Sequence, residues 1–201
     1  VRTPMATTDY LPYMQNIKSS GADALFMSVN AGRVSAAVAA FASAGLKQAG
    51  VRLIGPGDIS MDDDIANMGE PIVGLVTAGI YFAGNTVKAN TELLKSWNAE
   101  YGADALPNYE SVAGWDGMAA IYDLVRATGG TFNSEQAMKF LSNWKNPDSP
   151  RGPIAIDPET RDIVQTIYIN KVEMVNGKPT NVNIGKVENV KDPWKILNPP
   201  K

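Results

Sequence analysis

Between residues 21 and 60 the spacing of apolar positions changes twice, and each change marks an element. Ala24 to Val29 is an almost unbroken apolar run, the pattern of a strand whose two faces are both covered by helices in a parallel sheet. From Arg33 onward Val34, Ala37, Val38, Phe41 and Ala42 recur at intervals of three and four, which predicts a helix. Gly45 follows, where a left-handed cap favours a residue without a side chain. Val51 to Ile54 predicts a second strand, stopped by Gly-Pro-Gly. Together these make one β-α-β unit with a right-handed crossover. Ligands of open parallel sheets bind outside the carboxyl ends of the strands. Asn30 and Ala31 after the first strand, and Gly57 and Asp58 after the second, are therefore the first positions to watch.

The same reading extends along the chain. Thr8 or Asp9 is placed to cap a helix through Ser19 with Leu11, Met14 and Ile17 inward, whereas Val1 to Met5 is expected to be extended because Pro4 disfavours helix before it. Ser60 is expected to cap a short helix ending at Gly69, with Asp62, Asp63 and Asp64 complementing its positive end. A divalent metal is the other use of three acids, but consecutive helical residues point three ways and calcium loops space their acids around a glycine turn. Ile72 to Phe82 is apolar for longer than a typical strand, and Gly79 and Gly84 predict that it bends as it leaves one sheet for another domain.

Three helices follow. The first runs from about Thr86 to Tyr101, with Asn90, Leu93, Leu94, Trp97 and Tyr101 on one face. The second follows Pro107-Asn108, with Met118, Ile121, Tyr122 and Val125 as its buried stripe. The third, from Asn133 or Ser134, turns Ala137, Met138, Leu141 and Trp144 inward. After the turn-rich Asn146 to Pro153, short strands are predicted at Ile154 to Ile156, Val164 to Lys171 and Val172 to Val175. The proline-rich end from Asp192 reads as irregular, and no internal repeat is evident.

Composition narrows the chemistry. With 44% apolar and 19% charged residues the chain reads as an ordinary globular protein of one generous core or two small ones. A net charge of -3 without clustered Lys and Arg argues against nucleic acid as a partner. There is no cysteine and no histidine. Disulfides, cysteine-zinc sites and thiol nucleophiles are excluded, and so is the commonest general base and metal ligand. Absence of cysteine fits an oxidising compartment such as a periplasm. No run approaches the roughly 18 residues of a membrane span, so no membrane insertion is expected. The opening Val-Arg-Thr-Pro has neither an initiator Met nor the regions of a signal peptide, and reads as a processed product or an excised segment. Gly-Pro-Gly-Asp lacks dinucleotide-fingerprint spacing, and neither a phosphate-binding loop nor a serine nucleophile elbow occurs. An enzyme would have to work with carboxylates, Lys, Tyr or Ser alone, and a carboxylate pair such as Asp58 with Glu110 could serve as the acid and base of a glycosidase.

In order and spacing the segments resemble a known family. They are T-T-D-Y-L-P-Y-M-Q-N-I-K-S-S-G-A-D-A-L-F, A-S-A-G-L with a following G-P-G, V-A-G-W-D-G-M, and R-G-P-I-A-I-D-P-E-T-R-D. The chain resembles the C-terminal portion of a type I periplasmic substrate-binding protein of ABC importers, of the branched-chain amino acid (Leu/Ile/Val-binding) class. The resemblance implies an α/β fold of two Rossmann-like lobes, each a parallel sheet flanked by helices, here lacking the N-terminal part. Residues 1–80 and 160–190 would be part of the second ligand-binding lobe and 84–150 the C-terminal share of the first, with crossovers near 78–84 and 148–160.

The implied function is that of an extracytoplasmic, periplasmic solute-binding component, not an enzyme, enclosing an amino acid or related amine or amide between its lobes and delivering it to a membrane permease. No cofactor and no metal are implied. Ligand contacts carried over by position fall at Asn30, Gly57, Asp58, Tyr109 and Glu110, with Tyr81 on a crossover at the cleft wall. Two positions depart from the pattern: Asn30 stands where an aromatic is common, pointing to a ligand more polar than leucine, and Asp58 is one place from the expected acid. The residues alone leave plainer roles open: an Asx turn or cap for Asp58, a strand-to-helix cap for Asn30, a dipole charge for Glu110 and crossover packing for Tyr81. Self-association through an incomplete first lobe is also open. Other classes are a ligand-sensing regulatory domain of the same fold, distinguished by a fused signalling domain, and a carboxylate-based hydrolase, distinguished by turnover that Asp58→Asn abolishes.

Overall fold

The computed structural model describes residues 1–30 and 32–198, so the candidate Ala31 and the last three residues of the proline-rich end lie outside the described residues. The chain divides into two compact units, one of residues 1–79 and 169–185, the other of residues 80–168 and 186–201.

In the first unit, α1 (Leu11–Ser19) begins where the Asp9 carboxylate accepts from the Leu11 N–H at 3.0 Å and Pro12 occupies the first turn. Strand β1 (Ala24–Phe26), helix α2 (Val34–Ser43) and strand β2 (Arg52–Pro56) form the expected β-α-β unit, and Gly45 takes its left-handed conformation at φ 73°. The third strand, β3 (Val76–Gly79), is parallel to β2 as β2 is to β1, with Phe26 opposite Ile54 and Ile54 opposite Val76. The long apolar run thus yields only a short strand, preceded by a 3-10 turn at Glu70–Ile72. Met14 of α1, Ala37, Val38 and Phe41 of α2, and Met27, Leu53, Ile59, Ile65, Leu75 and Val172 share one buried cluster. Both helices therefore cover the Leu53 side of the sheet. On the other face Phe26 is 64% exposed and its register neighbour Ile54 37% exposed, with no described helix packed over them. An unbroken apolar run records only that both faces avoid polar residues. It does not record that both are covered.

Ser60 does not cap the helix after it. Met61 is the N-cap of α3 (Asp62–Ile65), and the Ser60 hydroxyl pairs with Thr77 Oγ1 at 2.8 Å. The three acids do occupy the first turn, where the dipole favours them.

The second unit holds α4 (Lys88–Tyr101), α5 (Tyr109–Thr128) and α6 (Ser134–Leu141). Helix α4 starts two residues later than expected, because the Asn85 side chain accepts from the Val87 N–H at 3.2 Å and holds Val87 extended. Asn108 caps α5, and Asn133 with Gln136 forms a reciprocal capping box on α6. On α5 the buried residues are Val112, Asp116 and Leu124, so the expected inward stripe of Met118, Ile121, Tyr122 and Val125 faces solvent instead. Met138 and Tyr101 are likewise exposed, whereas Trp144 is buried and donates its indole N–H to Asp123 at 3.0 Å. Strands β4 (Lys145–Asn146) and β5 (Ile154–Ile156) are antiparallel, and β5 pairs with the start of β6 (Ile163–Val175). Strand β6 is continuous where two short strands were expected. It turns at Asn176-Gly177, both at positive φ, into β7 (Lys178–Val190), with which it pairs. The end is not wholly irregular: Asp192 caps α7 (Pro193–Leu197), with Pro193 where a helix tolerates it.

Lys191 Nζ meets the Asp157 carboxylate at 2.8 Å, and that hydrogen bond is the chief reason Asp157 is held below the ordinary carboxylate range and Lys191 above the ordinary lysine range. The pair contributes fully between the unfolded-state values, about 3.9 and about 10.4. It is lost as pH falls through the lowered Asp157 value or rises through the raised Lys191 value. Lys191→Met should therefore lower the melting temperature at pH 7, and the gap to the parent should close in acid once Asp157 is protonated in both.

A second expectation concerns β2. A Cβ on Gly55 would lie 2.5 Å from both the Met27 carbonyl oxygen and Ile59 Cδ1. Gly55→Ala should cost about 1–3 kcal/mol, read as a lower denaturant midpoint with an unchanged slope.

Candidate functional site

The carboxyl ends of β1 and β2 form the candidate site of the first unit. Phe26 and Ile54 are register partners, and Asn30 and Asp58 each stand four residues beyond them, so both loops emerge from the same end of the sheet. Asn30 is exposed; its carbonyl accepts from the Arg33 N–H at 3.0 Å, and its side-chain amide lies 3.3 Å from Met5 Sδ. It does not cap α2, whose N-cap is Arg33 without a side-chain bond. Its polar side chain remains at the mouth of the loop.

Gly57 opens a 3-10 turn, Gly57–Ser60, directly after β2. A Cβ there would meet Gly79 Cα at 2.9 Å, so the chain after β2 and the end of β3 touch backbone to backbone. No larger residue fits at 57 unless the backbone moves. The turn then alternates outcome by residue: Asp58 is exposed, Ile59 is fully buried, and Ser60 bonds Thr77. Asp58 forms no side-chain hydrogen bond or ion pair among the described residues, and the cap of α3 is Met61. Neither an Asx turn nor a cap occupies its carboxylate.

Behind these loops lies a buried polar brace. Asn181 of β7 donates to the Ser60 carbonyl at 2.7 Å and to Asp62 Oδ1 at 3.0 Å. It fixes the far end of the turn that carries Asp58. No sequence signal pointed to Asn181, which sits in a stretch of Thr, Asn and Val with no distinctive spacing.

The remaining candidates belong to the second unit. Tyr81 is buried and gives its hydroxyl to Asn90 Oδ1 at 2.8 Å, while Asn90 donates to the carbonyls of Ala83 and Asn85. Tyr109 packs against the same small cluster of Tyr81, Leu93 and Val112. Glu110 is exposed in the first turn of α5, at its positive end. Tyr81 and Tyr109 are thus brought together in a core, with Glu110 beside them in sequence at the surface.

A constellation that the sequence reading did not single out lies nearby. Buried Asp116 accepts from Arg151 Nε at 2.8 Å and from Ser149 Oγ at 2.9 Å. Arg151, also buried, reaches Gln165 Oε1 at 2.5 Å, and its carbonyl accepts from the Tyr168 hydroxyl, which in turn accepts from Asn85. Each member has partners, as a buried charge requires. The signal that would have found it is the spacing of four between Val112, Asp116, Ala120 and Leu124, which sets an acid in an inward-facing row. Among the described residues no group of three or more acidic side chains could hold a metal ion.

Three comparisons bear on this arrangement. Residues 1–178 match the model of a periplasmic binding protein family. A curated relative, a Leu/Ile/Val-binding protein homolog 6 from Brucella melitensis, is 34% identical over 195 residues, which is 96% of this chain and 50% of the relative. A solute-binding protein of an ABC transporter from Rhodopseudomonas palustris BisB5, solved in complex with 3,4-dihydroxybenzoic acid, is 39% identical with a TM-score of 0.88. That alignment covers 97% of this chain and 53% of the other. Another from R. palustris, in complex with 4-hydroxybenzoate, is 36% identical with a TM-score of 0.90, over 98% of this chain and 54% of the other. The chain spans about half the length of these relatives.

Removing one partner of the buried pair should be costly. Arg151→Met leaves Asp116 uncompensated, and an expected loss of about 3–5 kcal/mol follows. Adding Asp116→Leu should recover part of that loss in a double-mutant cycle by urea denaturation. A recovery near zero would show the two charges to be energetically independent.

Proposed function

Given that this chain belongs to the periplasmic binding protein family, we propose that it is part of the extracytoplasmic solute-binding component of an ABC importer and that its solute is a hydroxylated aromatic carboxylic acid. The observation that carries the reading is the pair of polar side chains, Asn30 and Asp58, left at the carboxyl ends of neighbouring parallel strands, with the Asp58 carboxylate unengaged among the described residues. Support for the solute class comes from relatives at 39% and 36% identity over nearly the whole chain, one in complex with 3,4-dihydroxybenzoic acid and one with 4-hydroxybenzoate.

The chemistry is consistent. Gly57 and Gly79 touch backbone to backbone beside Asp58, which holds the turn carrying that carboxylate close against the end of β3. A ring hydroxyl is a donor, and an exposed carboxylate is a strong acceptor for it. Asn30 offers both an amide donor and a carbonyl acceptor. In the second unit Glu110 is the candidate with a free-standing polar head at the surface, while Tyr81 and Tyr109 serve as its packed support. This is capture without turnover, handing the solute to a membrane permease. No described helix is long and apolar enough to cross a membrane.

An amino acid is the second reading, favoured by the same Asp58, since a carboxylate at a strand end also suits an ammonium group. Thermal-shift titrations separate the two, run on this chain and on the longest natural product that contains it. The ligands are 3,4-dihydroxybenzoate, 4-hydroxybenzoate, benzoate and leucine. Ligand at one hundred times its dissociation constant stabilises by about 2.7 kcal/mol. Hydroxybenzoates should raise the melting temperature saturably, benzoate less, leucine not at all, and Asp58→Asn should weaken the hydroxybenzoates most. A shift with leucine alone would move the assignment to amino acids, and no shift with any of the four would remove the proposed solute class.

A further inference from the structure

The turn that carries Asp58 does not hold itself. Gly57–Ser60 is four residues of 3-10 helix, too short to persist on its own hydrogen bonds, and its N-cap Pro56 supplies no side-chain bond. The local tie from Ser60 Oγ to the Gly57 carbonyl is long, at 3.4 Å. What fixes the turn comes from elsewhere in the first unit. Thr77 of β3 meets the Ser60 hydroxyl at 2.8 Å, and Asn181 of β7, 121 positions beyond Ser60, donates to the Ser60 carbonyl at 2.7 Å. The same Nδ2 donates to Asp62 Oδ1 at 3.0 Å. One amide nitrogen thus holds the last residue of the turn and the first residue of α3 together.

The other half of that amide departs from what stability alone would select. Asn181 is 5% exposed, and its Oδ1 is buried with no hydrogen-bond partner among the described residues. An unpaired buried acceptor costs the desolvation of that group, and such groups are few in folded proteins. Rotating the amide by half a turn would bring no relief, because it would set the oxygen against the Ser60 carbonyl and the Asp62 carboxylate, both acceptors. The side chain is oriented for what its nitrogen holds, at the expense of its oxygen. Proteins break such rules of polar satisfaction at functional sites.

We propose that Asn181 is a positioning residue for solute capture, acting through the Gly57–Ser60 turn to hold the Asp58 carboxylate in its binding position before the solute arrives. The inference rests on the reading of Asp58 as a solute contact. Order that Asn181 imposes in advance is order that binding does not have to supply. Without it, binding must itself fix the backbone at Asp58, which for a single residue corresponds to a roughly five- to thirtyfold higher dissociation constant.

Two measurements test this on the longest natural product that contains the chain. The first needs no solute. Hydrogen exchange of the unliganded protein, read by mass spectrometry, should be faster over residues 57–61 in Asn181→Ala than in the parent, with residues 34–43 of α2 unchanged. Unaltered exchange over residues 57–61 overturns the proposal whatever the solute is.

The second is a double-mutant cycle by calorimetric titration with 3,4-dihydroxybenzoate, or with leucine if leucine alone binds the parent. Asn181→Ala should raise the dissociation constant by the factor given above. In an Asp58→Asn background it should raise it by roughly twofold or less, because the carboxylate that it positions is already gone. Val38→Ala, a core truncation on α2 outside the brace, should lower the melting temperature and leave the affinity of the parent unchanged. An Asn181→Ala effect that is the same with and without the Asp58 carboxylate, or is matched by Val38→Ala, is general destabilisation and overturns the proposal. If Asn181→Ala proves poorly folded by circular dichroism, Asn181→Ser takes its place with the same expected result, its shorter side chain being unable to bridge Ser60 and Asp62. A parent that binds none of the ligands removes the proposed solute class, and the exchange comparison then decides by itself whether Asn181 holds the turn.

Discussion

After β2 the chain meets the end of β3 with nothing between the two backbones, and much of the first unit follows from that contact. A Cβ at Gly57 would be 2.9 Å from Gly79 Cα, so the turn can begin only with glycine there. Once the turn is forced tight against β3, its next three residues have fixed destinations. Asp58 faces outward, Ile59 enters the core completely, and Ser60 reaches Thr77 on β3. Asn181 then closes the arrangement by holding the Ser60 carbonyl and Asp62 together. A carboxylate at a strand end is unremarkable in sequence. Here it rests on a buried leucine-sized anchor one residue away and a hydroxyl pair two residues away, which is how a surface group acquires a defined position.

The second unit solves a different problem with one helix. Along α5 two rows compete to face inward, one of Met118, Ile121 and Val125, the other of Val112, Asp116, Ala120 and Leu124. The buried row is the one with the acid. Burying a lone carboxylate would cost several kcal/mol. Arg151, 35 positions later, offsets that cost with a charge-assisted bond, and Ser149 adds a second. The more apolar row lies exposed among the described residues.

This contrast explains what could be read from sequence. Local signals worked where local physics decides: the spacing along α2, the left-handed Gly45, the Asn-Gly turn between β6 and β7, and the positions of Asn30, Gly57 and Asp58 just beyond strands. They failed where a distant residue decides. Arg151 gives the buried Asp116 of α5 its partner, Asn85 delays the start of α4, and Thr77 takes Ser60 away from the capping role that its position before three acids implied. The runs around Phe26 and Ile54 show a third limit, because a hydrophobic strand reads alike whether its second face is covered or bare. The candidate positions were legible as strand ends. The brace behind them, being ordinary Asn, Ser and Thr, was not.

The order in which the chain leaves a ribosome acquires a meaning from the hydrogen bonds between Leu75 and Gly74 on one side and Val172 on the other. Val172 follows Leu75 by 97 positions, and the whole of residues 80–168 lies between them. At synthesis rates of about 5–20 residues per second, β3 waits roughly 5–20 s for the strand that pairs with it. During that interval the first unit is an open sheet with an unsatisfied edge, while the helices encoded next can already form from local contacts. The segment that ends this exposure, β6, is also the one that continues into the hairpin carrying Asn181. Completion of the sheet and seating of the turn beneath Asp58 thereby both wait until β6 and β7 have been made.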